Sequence, residues 1–256
     1  LDLQTTSDTE VLLKLYIKFG KEMLNMLNGM FAFVIYDKKK DDLFIARDRL
    51  GIKPLYIYEN GDRIIVSSEI NAILHLREEN KVDEIGKRQY LKLRTFFNNR
   101  TIYDGISFFP AGHYLHKGKL YKYWEYPEGE QKPPTIEELY ELVTSAVDRW
   151  KIADVPVGSF LSGGLDSTIV TALSNTQHSW TSGFESMNEF KWGRLASEHI
   201  KTEHHELLVD QFLFKETLNS MIKTRKEPLS VPNEVMLYLM SKQASEFNTV
   251  IMAGEG

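Results

Sequence analysis

The stretch VPVGSFLSGGLDS, residues 155–167, places an apolar run directly before two glycines and a Leu-Asp-Ser segment that opens a predicted helix. Gly163 and Gly164 carry no side chain that would keep a phosphate away, and backbone amides at a helix start point toward an anion. The loop is neither a Walker A sequence nor Gly-x-Gly-x-x-Gly, and it has no lysine. Asp166 would repel a bare phosphate, so we interpret it as a ligand of Mg²⁺ that bridges to phosphate oxygens.

The hydroxyl groups of this loop support the same interpretation. Ser162 and Ser167 can donate hydrogen bonds to phosphate oxygens. A plain strand-to-helix turn capped by Asp166 and Ser167 is the alternative. Five specified residues in a six-residue frame match by chance on the order of once in a few thousand chains of this length, at about 5–7% per residue type. The loop therefore predicts a nucleotide phosphate site with magnesium.

Strand and helix patterns alternate through the second half of the chain. Thr135 and Glu138 form a capping-box pattern before a helix with apolar residues on one face. Apolar runs predict strands at 155–161, 179–184, 206–209 and 249–253. Helical patterns occupy 166–173, 189–200, 212–222 and 234–247. Such alternation predicts a parallel, doubly wound sheet that binds its ligand at the carboxyl ends of the strands.

The first half has an antiparallel pattern. Ser7 and Glu10 have capping-box spacing and predict the start of a helix. Short β-type runs, separated by turn residues, predict strands at 30–36, 43–46, 55–58 and 63–66. We interpret them as a meander, followed by a helix over residues 68–76.

A segment rich in proline, glycine and charge, residues 126–134, separates the two patterns. We therefore expect two domains, an α+β domain over 1–125 and an α/β domain over 126–256. The 256 residues are 42% hydrophobic, enough for two cores. A net charge of -5 argues against a nucleic-acid partner, and the lack of cysteine excludes disulfides and cysteine-based zinc sites in these residues. The lack of cysteine fits a reducing cytoplasm, where we expect the protein, and no apolar run reaches the roughly 18 residues of a membrane span.

Several blocks, in order along the chain, resemble the family of glutamine-hydrolysing asparagine synthetases. Residues 162–167 are similar to the PP-loop of its synthetase domain, and residues 154–158 lead into that loop as in the family. Blocks similar to its glutaminase domain lie at 6–13, 27–33, 47–56 and 68–70. The resemblance implies an antiparallel-sheet Ntn-type glutaminase domain, without its amino-terminal part, and a PP-loop ATP-pyrophosphatase domain, without its carboxy-terminal part.

The resemblance also implies a reaction. Glutamine is hydrolysed by an amino-terminal cysteine, and the ammonia travels to the second domain. There ATP adenylates a side-chain carboxylate with release of pyrophosphate, and ammonia displaces AMP to give the amide. The implied cofactors are ATP and Mg²⁺, and the implied partners are glutamine and aspartate, with a homodimer left open. We expect the cysteine upstream of Leu1 and an acidic pair beyond Gly256.

The family's functional positions map onto this chain one by one. Asp8 matches the acidic residue that binds the α-amino group of glutamine, and Glu255 matches a glutamate that helps to position the acyl-adenylate. Ala253 replaces the family's serine, which removes one expected hydrogen bond to AMP. The positions that match the ATP, AMP and pyrophosphate sites are Phe160, Leu161, Ser162, Gly163, Gly164, Asp166, Ser167, Ser182, Ala253 and Gly254.

Two other functions remain as alternatives. The segment Asn188–Trp192 is bulkier than we expect in asparagine synthetases, which favours the same chemistry on another carboxylate. The missing cysteine favours a non-catalytic protein that binds glutamine or a nucleotide. His199, His204 and His205 lack the spacing of a helical His-x-x-x-His pair and resemble the family's turn into the third strand, so we assign no metal to them.

Overall fold

The computed structural model describes residues 2–61, 63–129 and 132–254. The chain divides into two compact units, Leu1–Gly129 and Glu130–Gly256. The helices are α1 (Asp8–Phe19), α2 (Ile70–Leu76), α3 (Glu84–Leu93), α4 (Ile136–Trp150), α5 (Leu165–Ser174), α6 (Phe190–Ile200), α7 (Gln211–Arg225) and α8 (Asn233–Ala244), with a 3₁₀ helix at Gly20–Asn25. The strands are β1 (Ala32–Asp37), β2 (Asp42–Arg47), β3 (Tyr56–Asn60), β4 (Arg63–Ser67), β5 (Ile106–Phe108), β6 (His113–His116), β7 (Lys119–Lys122), β8 (Val157–Phe160), β9 (His178–Gly183), β10 (Glu203–Leu208) and β11 (Val250–Met252).

The first unit contains two antiparallel sheets, in the orders β1-β2-β6-β7 and β4-β3-β5. The predicted strands exist, but the single meander is wrong, because β2 pairs with β6 and not with β3. The connection between β2 and β3 is a tight loop around the buried Asp48. Its carboxylate accepts the backbone N–H groups of Leu50, Ile52 and Lys53 at 3.0–3.1 Å. These bonds hold the connection as a loop, and β3 enters the other sheet.

Helix α1 begins at Asp8, as predicted, but without the predicted capping box. The Ser7 side chain makes no capping hydrogen bond. The Glu10 carboxylate accepts instead from the backbone N–H of Gln4 at 3.0 Å and from the N–H and hydroxyl of Thr5 at 2.7 and 2.6 Å. The donors of Gln4 and Thr5 therefore occupy the Glu10 carboxylate, which in a capping box would accept from the Ser7 N–H. The Thr5 hydroxyl, together with these amides, lowers the pKa of Glu10 to about 2.

The second unit contains a parallel sheet with the order β10-β9-β8-β11. The chain moves from β8 through β9 to β10 on one side and returns to place β11 on the other side of β8. This reversal confirms the doubly wound fold and makes the carboxyl ends of β8 and β11 the expected ligand site. Helix α4 opens with the predicted capping box, in which Thr135 N donates to Glu138 Oε2 at 2.8 Å and Glu138 N donates to Thr135 Oγ1 at 3.2 Å.

Helices cover both faces of this sheet. Trp180 packs against Met240 and Ala244 of α8. The next residue, Thr181, lies beside Gly193 of α6. Because successive strand residues point to opposite faces, α8 and α6 cover opposite sides. Within the described residues, no helix is both long enough and apolar enough to cross a membrane.

Candidate functional site

The glycine loop leaves β8 at the centre of the parallel sheet. Leu161 is fully buried, and its N–H donates to the Trp180 carbonyl at 2.8 Å. Its carbonyl accepts from the Thr181 hydroxyl. Both bonds join the start of the loop to β9, so the loop begins from a fixed position at the carboxyl end of the sheet.

Gly163 has a backbone conformation and surroundings that require glycine. Its φ is +84°, a region that L-residues with side chains rarely adopt. A Cβ atom at this position would lie 2.6 Å from both the Cβ and the carbonyl oxygen of Trp192 in α6. Gly164 differs, since its φ is -69° and a Cβ atom there would meet only the Ser162 hydroxyl, at 3.3 Å. The loop therefore packs against α6 at Gly163, whereas Gly164 has no such contact.

The hydroxyl groups of the loop form a connected set. Ser162 Oγ lies 3.1 Å from Ser167 Oγ and accepts from the Gly164 N–H at 3.3 Å. Ser167 Oγ and Thr168 Oγ1 donate to the Gly164 carbonyl at 3.2 and 2.7 Å. These bonds fix the loop while leaving the serine hydroxyls at its surface.

The amino terminus of α5 can bind an anion beside a cation ligand. Gly164 is the N-cap residue and has no side chain that could cap the first amides of the helix. Unsatisfied first-turn N–H groups and the helix dipole favour a phosphate. Asp166 is exposed in the same turn. A carboxylate in this position suits a divalent cation that shares the phosphate oxygens.

The segment after β11 packs directly on this turn. A Cβ atom on Gly254 would lie 2.6 Å from the carbonyl carbon of Asp166 and from the Cα of Ser167. Only glycine allows this approach. The fold thus brings the predicted segment at residues 253–254 to the loop, while Glu255 lies outside the described residues.

A cavity of about 310 Å³ opens where these segments meet. Gly163 does not border it, because Gly163 lies against Trp192. Of the positions predicted for the nucleotide, the cavity is bordered by Phe160, Leu161, Ser162, Gly164, Asp166, Ser167, Ser182, Ala253 and Gly254. Residues from β8, α5, β9 and the end of β11 therefore converge on one space.

Sequence reasoning missed part of this cavity wall. Asn233, Leu237 and Met240 of α8 border the cavity and lie on one helix face at spacings of four and three. That spacing was the available signal. Trp180 and Glu189 also border the cavity, and Glu189 belongs to the bulky segment noted in the sequence.

Asp8 lies in the first unit beside a separate cavity of about 580 Å³. It begins α1, is exposed, and accepts from the Thr9 hydroxyl at 3.2 Å. Lys53 and Ser68 border the same cavity. A carboxylate and an ammonium group at one cavity provide the opposite charges that a zwitterionic amino acid requires.

Comparisons with known proteins extend over nearly the whole chain. A family model described as glutamine amidotransferase domain matches residues 1–124, and one described as asparagine synthase matches residues 138–256. A provisionally named asparagine synthetase (glutamine-hydrolysing) 2 of Methanocaldococcus jannaschii is 33% identical over 285 residues, covering 100% of this chain and 53% of the relative. Asparagine synthetase (glutamine-hydrolysing) 3 of Bacillus subtilis is 29% identical, covering 98% of this chain and 46% of the relative.

A third relative is matched to a similar extent. Asparagine synthetase B (glutamine-hydrolysing) of Escherichia coli is 30% identical, covering 99% of this chain and 46% of the relative. The chain spans about half the length of the curated relatives it matches. The two family models together match residues 1–124 and 138–256, the first over the antiparallel sheets and the second over the parallel sheet. The chain therefore belongs to the family of glutamine-hydrolysing asparagine synthetases.

Proposed function

We propose that the full protein catalyses ATP-dependent amide synthesis from aspartate and glutamine. The observation that carries this proposal is the Ser162–Ser167 loop, which opens onto the same cavity as the segment after β11. In the proposed reaction an aspartate carboxylate oxygen attacks the α-phosphorus of ATP, and pyrophosphate leaves. Ammonia from glutamine then attacks the acyl carbon, AMP leaves with the C–O electron pair, and asparagine remains after loss of a proton.

The loop residues have distinct proposed roles. The uncapped amides of α5 and the hydroxyls of Ser162 and Ser167 bind the pyrophosphate oxygens, which gain negative charge as the bond to the α-phosphorus breaks. Asp166 would hold Mg²⁺, which when bound neutralises phosphate charge. The exposed carboxylate beside an uncapped helix start fits this ion. Gly163 keeps the loop against α6, so that the donors are in place before the nucleotide arrives.

The rest of the cavity would hold the nucleoside and the acyl group. Leu161 and Ser182, at the ends of β8 and β9, border the space proposed for the adenosine part. Ala253 offers no hydroxyl, so the AMP contact at this position comes from its backbone alone. Glu255 is proposed to position the acyl-adenylate. In the first unit, Asp8 is proposed to bind the α-amino group of glutamine.

Exchange of labelled pyrophosphate into ATP tests the proposal. The purified full-length protein, with Mg²⁺ and ATP, is expected to show exchange that depends on aspartate. Asparagine formation from glutamine should follow in the same preparation, with ammonia able to replace glutamine. Absence of aspartate-dependent exchange would refute aspartate as the substrate.

A different acceptor acid is the second candidate, and Glu189 favours it. This carboxylate borders the nucleotide cavity and lies in the bulky segment Asn188–Trp192. It would repel the second carboxylate of aspartate, which favours an acceptor acid with a single carboxylate. The exchange assay on a panel of carboxylic acids separates the candidates: exchange with aspartate alone removes this one. If none of the acids supports exchange although the protein binds ATP measurably, the non-catalytic function would be favoured.

A further inference from the structure

Three side chains with metal-ligand atoms meet at the amino-terminal ends of β9 and β10, the opposite ends of these strands from the nucleotide cavity. They are His178, Glu203 and His205. The parallel register pairs Glu203 with His178 and His205 with Trp180. Alternation along each strand then puts all three side chains on the sheet face that α8 covers. Their proximity follows from strand register and is not visible as a spacing in the sequence.

The distances between the ligand atoms fit a tetrahedral metal site. His178 Nδ1 lies 3.1 Å from His205 Nε2 and 3.5 Å from Glu203 Oε2. His205 Nε2 lies 3.9 Å from Glu203 Oε1. Bond lengths of about 2.0–2.1 Å to nitrogen give a tetrahedron whose ligand atoms are about 3.3 Å apart. The observed separations bracket this value. Because the two histidines approach different oxygens of Glu203, a rotation of this exposed carboxylate would bring one of its oxygens and both ring nitrogens onto one ion.

The surroundings hold the two imidazoles and leave one side open. The His178 and His205 side chains are only 14% and 18% exposed, whereas Glu203 is 60% exposed. The His205 ring stacks on Trp180 with centroids 5.1 Å apart, and Phe247 lies 5.0 Å from the His178 ring.

The other two histidines of this part of the sequence, His204 and His199, have different surroundings. His204 points to the opposite face and contacts Ser179 Oγ at 2.9 Å and Thr181 Oγ1 at 3.2 Å. It is a core residue held by hydroxyls. His199 is exposed in the last turn of α6. His205, in contrast, lies 3.1 Å from a second imidazole nitrogen, that of His178.

We propose that His178, Glu203 and His205 form a site for a divalent transition-metal ion of the Zn²⁺ class, with water as the fourth ligand. Two imidazoles and one carboxylate form a ligand set that zinc prefers. The sequence analysis considered His205 with His199 and His204 and assigned no metal to them, because His178, the second imidazole ligand, lies on the preceding strand. A hydrogen bond shared between two neutral imidazoles is the competing explanation of the 3.1 Å contact, and the experiment below distinguishes the two.

The test is metal binding by the purified full-length protein after treatment with EDTA. Calorimetric titration with Zn²⁺ is expected to give one ion per chain. Titration with Co²⁺ should give the visible absorption of a four-coordinate ion and should quench the fluorescence of Trp180, which stacks on His205. His178→Gln and Glu203→Gln should each weaken Zn²⁺ binding by at least about tenfold, whereas His199→Gln should bind like the wild type.

Circular dichroism of each variant shows whether it is folded. If His178→Gln does not fold, Glu203→Gln carries the test, since its exposed side chain is expected to tolerate replacement. Absence of saturable Zn²⁺ binding would overturn the proposal, as would unchanged affinity in folded Glu203→Gln. Because no step of the proposed amide synthesis uses this site, failure of Zn²⁺ binding would leave the proposed function standing, and failure of aspartate-dependent exchange would leave the metal site standing.

Discussion

Replacement of Gly163 by alanine tests whether the glycine loop is closed against α6. The substitution meets two costs. Alanine at a φ of +84° costs about 1–2 kcal/mol relative to glycine. Its methyl group would also lie 2.6 Å from the Trp192 carbonyl oxygen, and forced overpacking of this kind costs about 1–3 kcal/mol. Together the two predict a loss of about 2–5 kcal/mol in the free energy of unfolding of the second unit.

Urea unfolding followed by tryptophan fluorescence measures this loss, since Trp150, Trp180 and Trp192 lie in the second unit. At an m-value of about 2 kcal/mol/M, the midpoint should fall by about 1 M or more. Gly164→Ala is the matched control in the same loop. Its φ of -69° is ordinary and its methyl group would meet only the Ser162 hydroxyl, at 3.3 Å, so its midpoint should fall much less than that of Gly163→Ala.

The two variants should also differ in activity. Gly164 borders the nucleotide cavity, so a methyl group there should weaken pyrophosphate exchange in a protein that remains stable. An unchanged midpoint for Gly163→Ala would refute the reasoning. So would an equal destabilisation by Gly164→Ala, because the two glycines would then have the same structural requirement.

Three further outcomes are expected. Asp166→Asn should abolish Mg²⁺-dependent pyrophosphate exchange while changing the free energy of unfolding by less than about 0.5 kcal/mol, because the side chain is exposed; exchange at the wild-type rate would exclude Asp166 as the metal ligand. Asp8→Asn should raise the KM for glutamine by at least about tenfold, the loss of a charged hydrogen bond, with ammonia-dependent synthesis unchanged; a parallel loss of both would indicate misfolding. An NMR titration should give Glu10 a pKa of about 2, so its contribution to stability, complete above its ordinary value of 4.5, is lost as the pH falls toward 2; a midpoint near 4.5 would contradict the observed hydrogen bonds.

The two capping-box sequences show where local pattern stops being sufficient. Thr135 and Glu138 form the predicted box, whereas Ser7 and Glu10 have the same spacing and do not. The difference lies before the helix, where Thr5 donates to Glu10 through both its N–H and its hydroxyl. A motif predicts which bonds are possible, but the path of the preceding chain decides which donor reaches the carboxylate.

Which strands share a sheet could also not be predicted from local sequence patterns. The first-half strands were predicted from turn residues and apolar runs, and the structure contains them. Their division into two sheets depends on β5 and β6, which pair with strands far away in the sequence, and on the four backbone amides that converge on Asp48, including that of Phe31 at 3.3 Å. Such long-range pairings have no signature in a window of a few residues. The parallel sheet was easier, because strand and helix alternation restricts its topology.

Strands β9 and β10 connect the two sites discussed above. Register alone brings His178, Glu203 and His205 together at one end of the pair, while Ser182 near the other end of β9 borders the nucleotide cavity. Trp180 lies between them, since its ring stacks on His205 and the residue also borders the cavity. A metal ion that fixes the His205 ring would therefore restrict the side chain of a residue that borders the nucleotide cavity. Nucleotide affinity should then depend on metal occupancy, and linkage requires the same factor in the affinity for metal. Zn²⁺ titrations with and without ATP measure that factor, and equal affinities would show that Trp180 transmits nothing between the two ends of the sheet.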